Sequence, residues 1–320
     1  MPINSDKPQN WKSDIALSVD FYNRWFMRFA PEAYRKTRVE ATKQVESALQ
    51  ATNNLLDIRP EILKNDPSVL PILRMATAPP IARDRLIGLA QVSPNLVKSM
   101  ESEKRIPPQM KTTEVDAELR KIGSVILELA DEDIFTWLSS KSTPTQNDVY
   151  RASTIVADRL CGAVADPIVR NAQEKRQLAL MRKWLEDRGY RYIDIRHGLK
   201  MENMKTGTFS FRFNVQVKQT GRSQQVNVPV DIIVKPIKGP KSHLPILVEA
   251  KSAGDFTNTN KRRKEEATKV AQLRATYGKG VQFILFLCGY FDSGYLGYEA
   301  AEGIDWVWEH RIDDFAKLGL

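Results

Sequence analysis

Through the first 138 residues apolar and aromatic side chains recur at helical spacing, most clearly over 15–29 and 115–138, and prolines predict breaks between the helices. Nothing in that stretch alternates as a strand does. Residues 139–147 are polar, contain Pro144 and lack any period, which predicts a connector. A helix is expected over 148–163, a break at Asp166-Pro167, and a second helix over 172–187 stopped by Arg188-Gly189. From Tyr190 the period falls toward two. Residues 208–217 alternate, Gln219 to Arg222 predict a hairpin turn around Gly221, and 226–234 and 244–251 are the apolar runs of further strands. A charged helix over 261–275 and a buried strand over 281–287 complete the order strand, strand, helix, strand. The expected organisation is a helical domain over 1–143 and a domain of strands and helices over 144–320.

Charge enters this pattern at two places where a strand wants apolar residues. Asp231 interrupts the first run, and Glu249-Ala250-Lys251 ends the second. Unpaired charges are expelled from apolar surroundings, so these groups need compensation. Side chains two apart on a strand share a face; Glu249 and Lys251 therefore point one way and Ala250 points into the packing. If the two strands pair, Asp231 joins them. Such a set suits phosphodiester hydrolysis with a divalent metal. Mg²⁺ takes oxygen ligands with few carboxylates and several waters, which Asp231, Glu249 and the Ala250 backbone carbonyl would supply, and Mn²⁺ would substitute. Lys251 would orient the attacking water and offset charge on the phosphate. The competing reading is a surface aspartate beside a solvated Glu–Lys pair.

Composition narrows the partner. With 48 Lys plus Arg against 39 Asp plus Glu, the 320-residue chain carries a formal charge of +9, which favours an anionic partner. The longest apolar run, 281–290, is too short to cross a bilayer, and the first residues lack the apolar region of a secretory signal. A cytoplasmic protein is expected, with nucleic acid or an acidic membrane surface as the anionic partner. Cys161 and Cys288 read as reduced packing residues, and the three histidines, His197, His243 and His310, are dispersed, which disfavours a zinc hydrolase. No glycine-rich phosphate loop followed by Lys-Ser or Lys-Thr is present, which disfavours nucleotide-driven activity.

The helical half holds a second constellation at 82–102. Ser93 is suited to an N-cap and Pro94 to a first helical position, so a new helix is expected after Val92. Leu96, Val97 and Met100 give it an inward face. Asn95, Lys98 and Ser99 are expected outward, where a recognition helix meets base edges and phosphates, with Lys104 and Arg105 just beyond. The stretch resembles a Cro/repressor-type helix-turn-helix, departing from it at Gln91 and Glu103, where glycines are usual. An ordinary helical hairpin is the alternative.

Pro229-x-Asp231 followed by Glu249-x-Lys251 resembles the PD-(D/E)xK nuclease signature, with Val230 inserted after the proline. That resemblance implies an α+β or α/β mixed-sheet core flanked by helices. Over nearly its whole length, including 11–38, 77–86 and 166–178, the chain is similar to type II restriction endonucleases of the XamI-like group. The resemblance implies double-stranded DNA as substrate, Mg²⁺, a palindromic site of the GTCGAC type, a homodimer, no membrane partner, and a companion DNA methyltransferase in a bacterial host. Other readings are a repair or structure-specific nuclease with the same core, and a non-cleaving helix-turn-helix regulator.

Further residues could belong to the site. Glu174, on the helix before the first core strand, is a candidate additional acid, although Lys175 and Arg176 beside it also fit a solvated helix start. Lys269 and Gln272 would face the DNA backbone or the active site, and Lys261, Arg262 and Arg263 would clamp phosphates or simply be solvated.

Overall fold

The protein is described by a computed structural model covering residues 2–194, 200–218, 225–238, 244–256 and 259–320, without the side chains of 163–166 and 259–263. The predicted turn at Gln219 to Arg222, the side chains of Lys261, Arg262 and Arg263, and His197 and His243 lie outside the described residues.

The helices are α1 (Pro8–Ala51), α2 (Pro60–Asn65), α3 (Leu70–Met75), α4 (Arg83–Ala90), α5 (Pro94–Glu103), α6 (Thr112–Glu128), α7 (Trp137–Ser140) and α8 (Gln146–Glu186). Then come β1 (Arg191–Tyr192), β2 (Thr208–Lys218), β3 (Gln225–Lys235), β4 (Ile246–Ala253), α9 (Thr259–Tyr277), β5 (Phe283–Gly289), α10 (Ser293–Ala301) and β6 (Asp305–Trp308). The strands form one mixed sheet in the order β1-β2-β3-β4-β5-β6, antiparallel across β2/β3 and β3/β4 and parallel elsewhere. The helical N-terminal region and helix-flanked mixed sheet are the expected α+β architecture.

Two compact units emerge, one of residues 1–29 and 169–320, the other of residues 30–168. The division therefore falls inside α1 and α8, and the expected boundary at 143/144 lies within the second unit. The reason is helix continuity. The breaks expected at prolines do not occur at Pro31 or Pro167, both of which lie inside long helices. A proline removes one main-chain bond and crowds the preceding turn, a cost that burial along the rest of a helix of 44 or 41 residues offsets. By contrast, 115–138 is not one helix: α6 stops at Glu128 and a short segment leads to α7.

Unit 30–168 is built on its own core, in which Leu49, Leu63, Leu73, Leu96, Ile122 and Trp137 are buried. In the other unit each face of the sheet has a core. Val270 and Leu273 of α9 and Tyr295 and Leu296 of α10 pack with Phe283, Leu285 and Leu287 of β5; Met181, Trp184 and Leu185 of α8 pack with Ile284 and Phe286. Alternate residues of one strand thus feed opposite cores, as a strand buried on both faces requires.

Candidate active site

Antiparallel pairing of β3 with β4 runs only through Ile232 with Val248, Ile233 with Leu247 and Val234 with Ile246. Asp231 and Glu249 are the first residues beyond that ladder, where the strands part. Asp231 Oδ2 accepts a 2.8 Å bond from the Ala250 N–H. The N–H and C=O of one strand residue face the same side, so the Ala250 carbonyl is directed to the same opening.

Glu249 is buried, with Oε1 2.9 Å from Lys269 Nζ and 3.3 Å from Lys251 Nζ. Its Oε2 is buried with no hydrogen-bond partner among the described residues. Lys269 Nζ also donates to the Pro229 carbonyl at 2.9 Å. Lys251 Nζ lies 2.9 Å from Oε1 of Glu266, a residue of α9 that is 1% exposed. Three carboxylates, Asp231, Glu249 and Glu266, therefore face two ammoniums, Lys251 and Lys269.

The electrostatics follow from this crowding. Burial is the largest influence on Asp231 and, with the Glu249 carboxylate, raises its pKa to about 6 against the opposing Ala250 N–H and Lys251. Burial alone would discharge Lys251, but Glu249 and Glu266 outweigh it and hold the ammonium above its ordinary value. Glu266 is pushed up by burial, opposed chiefly by Lys251. Among the described residues no three His, Cys, Asp or Glu side chains converge as metal ligands. The donors gathered here are two carboxylates and a carbonyl. An all-oxygen set with few carboxylates fits a hard cation, and the buried Glu249 Oε2 is the kind of atom that needs a partner.

The neighbouring strand breaks its pattern at the same level. β2 pairs with β3 at Phe211 with Ile232 and Phe213 with Val230, with no pair at Arg212 and Asp231 between them. Arg212 has φ +53°, a left-handed conformation that costs a side-chain-bearing residue about 1–2 kcal/mol. The strand turns over there: Phe209 and Phe211 pack in the core beneath α8, whereas Phe213, Val215 and Val217 pack beneath α9. Glu174, in the body of α8 rather than at a helix start, receives bonds from Arg212 Nη2 at 2.8 Å and Nε at 3.2 Å. It is close enough to raise the Asp231 pKa further.

A family model for XamI restriction endonucleases matches residues 53–308. The type II restriction enzyme SalI of Streptomyces albus G is 55% identical over 318 residues, covering 99% of each chain. The chain belongs to the XamI restriction endonuclease family. It is a type II restriction enzyme, a DNA endonuclease. No solved structure matches it significantly.

In this XamI-family enzyme the helix pair expected at 82–102 is present as α4 and α5, and Gln91 between them is left-handed (φ +50°) where glycine is usual. Asn95 and Lys98 are exposed, as expected. The helix starts at Pro94 with Ser93 at its cap, as expected, but the outward placement of Ser99 fails. Ser99 is 6% exposed, with its hydroxyl donating to the Arg105 carbonyl, because it lies on the inward face beside Leu96 and Met100. Ser93 occupies the cap position without a side-chain cap bond, and its N–H donates instead to Glu118 Oε2 at 3.1 Å. Lys104 takes the left-handed position that ends α5, and Arg105 is paired with Glu103 at 2.6 Å. Glu101 is turned inward to a two-pronged pair with Arg74.

Lys269 thus faces the carboxylates, whereas Gln272 lines a surface hollow with Asn227, Pro229 and Lys264. Sequence reasoning missed Glu266. Its signal was the stripe of Glu266, Val270 and Leu273, a helical spacing that places a glutamate on the buried face of an otherwise charged helix. Arg212 left no such trace, because a left-handed residue inside a strand has no sequence signature unless it is glycine.

Proposed function

We propose that the enzyme hydrolyses phosphodiester bonds of double-stranded DNA at the site formed by Asp231, Glu249, Ala250 and Lys251, with Mg²⁺ as the physiological cofactor and Mn²⁺ able to substitute. The observation that carries the reading is the convergence of the two carboxylates and the ammonium where β3 and β4 part, with Glu249 Oε2 buried and unpartnered among the described residues. Asp231, Glu249 and the Ala250 carbonyl would hold the metal, which when bound supplies a lowered pKa for the attacking water and neutralises the phosphate. Lys251, kept charged by Glu249 and Glu266, donates to the attacking water and fixes its line of approach. Lys269 balances Glu249 from α9 and donates to the Pro229 carbonyl within β3.

The test is metal dependence on DNA that the enzyme cuts. Cleavage is expected with Mg²⁺ or Mn²⁺ and to stop with EDTA, while Ca²⁺ supports binding with little cutting because its larger, looser shell orders water poorly. Activation by Zn²⁺ alone would contradict an all-oxygen site. Family membership displaces the regulator reading.

Site recognition is proposed to be palindromic, of the GTCGAC type, by a homodimer whose twofold axis matches that of the site. A companion methyltransferase would protect the host DNA, and both would work in the bacterial cytoplasm; among the described residues no helix is long and apolar enough to cross a membrane. We assign base contacts to Asn95 and Lys98 of α5, and phosphate contacts to Lys104, Arg105 and the basic start of α9 at Lys261, Arg262 and Arg263. Gln272 would reach the backbone from the same helix. Asn95→Ala or Lys98→Ala is expected to cost about 1–3 kcal/mol per base contact, about 10–100-fold in preference for the true site, with the chemical step preserved. Cleavage rates on true and singly substituted sites measure this. A uniform loss on all sequences would reassign the helix to phosphates, and no loss would make it a packing element.

A further inference from the structure

We propose that Arg212 grips the phosphodiester being hydrolysed, a role that rests on the active-site reading above. Three observations meet at this residue. Its backbone is left-handed within a strand, at the rung that β2 and β3 leave unpaired opposite Asp231. A strained backbone at a side-chain-bearing residue persists only where its surroundings hold it, and such residues cluster at working sites. The side chain is two-thirds exposed, so the strain does not serve burial. Only one edge of it is used: Nε and Nη2 bond to Glu174, and Nη1 has no partner among the described residues.

The exposed pair with Glu174 is too weak to account for the strained backbone, since solvent screens it. What the strain achieves is placement. Turning the strand over at Arg212, on the rung opposite Asp231, sends its side chain out to Glu174 rather than into either core. Glu174 then fixes the fork in one orientation, and a planar guanidinium with a free edge matches the non-bridging oxygens of a phosphate. With Asp231, Glu249 and Glu266 set against Lys251 and Lys269, the protein's own charges in the cluster are net negative until a metal is held, and the phosphate oxygens that a metal does not reach need a cation on their own side. Arg212 is that cation, stabilising the charge that grows on the phosphorus oxygens as water attacks.

The test compares Arg212→Ala, Arg212→Lys and Arg212→Gly with Asp231→Ala on DNA that the wild-type enzyme cuts. Arg212→Ala is expected to lower the single-turnover rate at saturating enzyme by about 10²–10³-fold, the usual loss on removing one preorganised donor to a developing oxyanion. Affinity measured without divalent metal should change by less than about tenfold, as for a single phosphate contact. Lys recovers little because it lacks the fork. Gly accepts the left-handed backbone, so that variant should melt at or above the temperature of Arg212→Ala and still cut slowly. The proposal is overturned if Gly restores the rate, which would make backbone shape the whole role, or if the loss lies entirely in affinity, which would make Arg212 a peripheral clamp. It is overturned too if Arg212→Ala cuts normally; Asp231→Ala then separates the cases, being inactive if the active-site reading stands and active if that reading has failed as well.

Discussion

Replacing Asp231 or Glu249 with Ala is expected to abolish cleavage, a loss of about 10³-fold or more, because a metal's charge stabilisation is worth several kcal/mol and each 1.36 kcal/mol is tenfold in rate. Binding of the same DNA persists or tightens, since a carboxylate that repels phosphate is gone. Lys251→Ala loses cleavage similarly and weakens binding somewhat; Arg at that position does not fully restore it, since a planar fork cannot sit where Glu249 and Glu266 hold an ammonium. A control separates chemistry from folding. In the metal-free protein burial raises the Asp231 pKa from 3.8 to about 6, so the fold favours the neutral acid. That contribution is complete below 3.8 and lost as pH rises through about 6. Asp231→Asn, always neutral and still able to accept the Ala250 N–H, should therefore melt above wild type at pH 8 without metal. Near-wild-type cutting by either Ala variant in Mg²⁺ would remove the metal role.

The meeting of these groups was legible because strands translate spacing into geometry. Two charged groups at the ends of apolar runs are costly unless they meet, and the period of two puts Glu249 and Lys251 on one face whatever the rest of the fold does. The order of strands and α9 followed from period changes of the same kind. Three-dimensional accidents of pairing were not legible. Nothing local says that β3 and β4 part at Asp231, beyond the Ile232–Val248 pair, that Arg212 turns β2 over, or that Glu266 reaches Lys251 from another element. Proline misled the reading for a related reason: Pro31 and Pro167 break short isolated helices, yet α1 and α8 run through them, with their buried residues lying elsewhere along 44 and 41 residues. Ser99 was misplaced by one position on a helical wheel, enough to bring a residue from solvent to the core.

Arg176, which looked like the solvated neighbour of Glu174, is a residue whose loss should destabilise the fold strongly. Its Nη2 donates to Glu309 Oε2 at 2.9 Å and contacts Cys288 Sγ at 3.4 Å, and its guanidinium lies 4.7 Å from the Trp25 ring centroid and 5.6 Å from that of Phe21. The Glu309 side chain is 2% exposed. Removing one partner of a buried pair strands the other charge, so Arg176→Ala is expected to cost about 3–5 kcal/mol. The pH dependence has a definite sign. Burial raises the Glu309 pKa, against Arg176 and the bonds with Cys288 and Gln177. A raised acid stabilises the fold below its unfolded value of 4.5 and loses that contribution as pH climbs through the folded one. Without Arg176 the folded value moves higher still, so denaturant melts should show a larger deficit at pH 8 than at pH 5, and Glu309→Gln added to Arg176→Ala should recover part of it. Equal deficits at both pH values, with no recovery, would mean that lost ring stacking carries the whole effect. Cleavage should fall with stability, because the same turn of α8 presents Glu174 to Arg212 and carries Gln177, whose amide donates to the Phe286 carbonyl at 3.2 Å and reaches the Lys251 carbonyl at 3.5 Å.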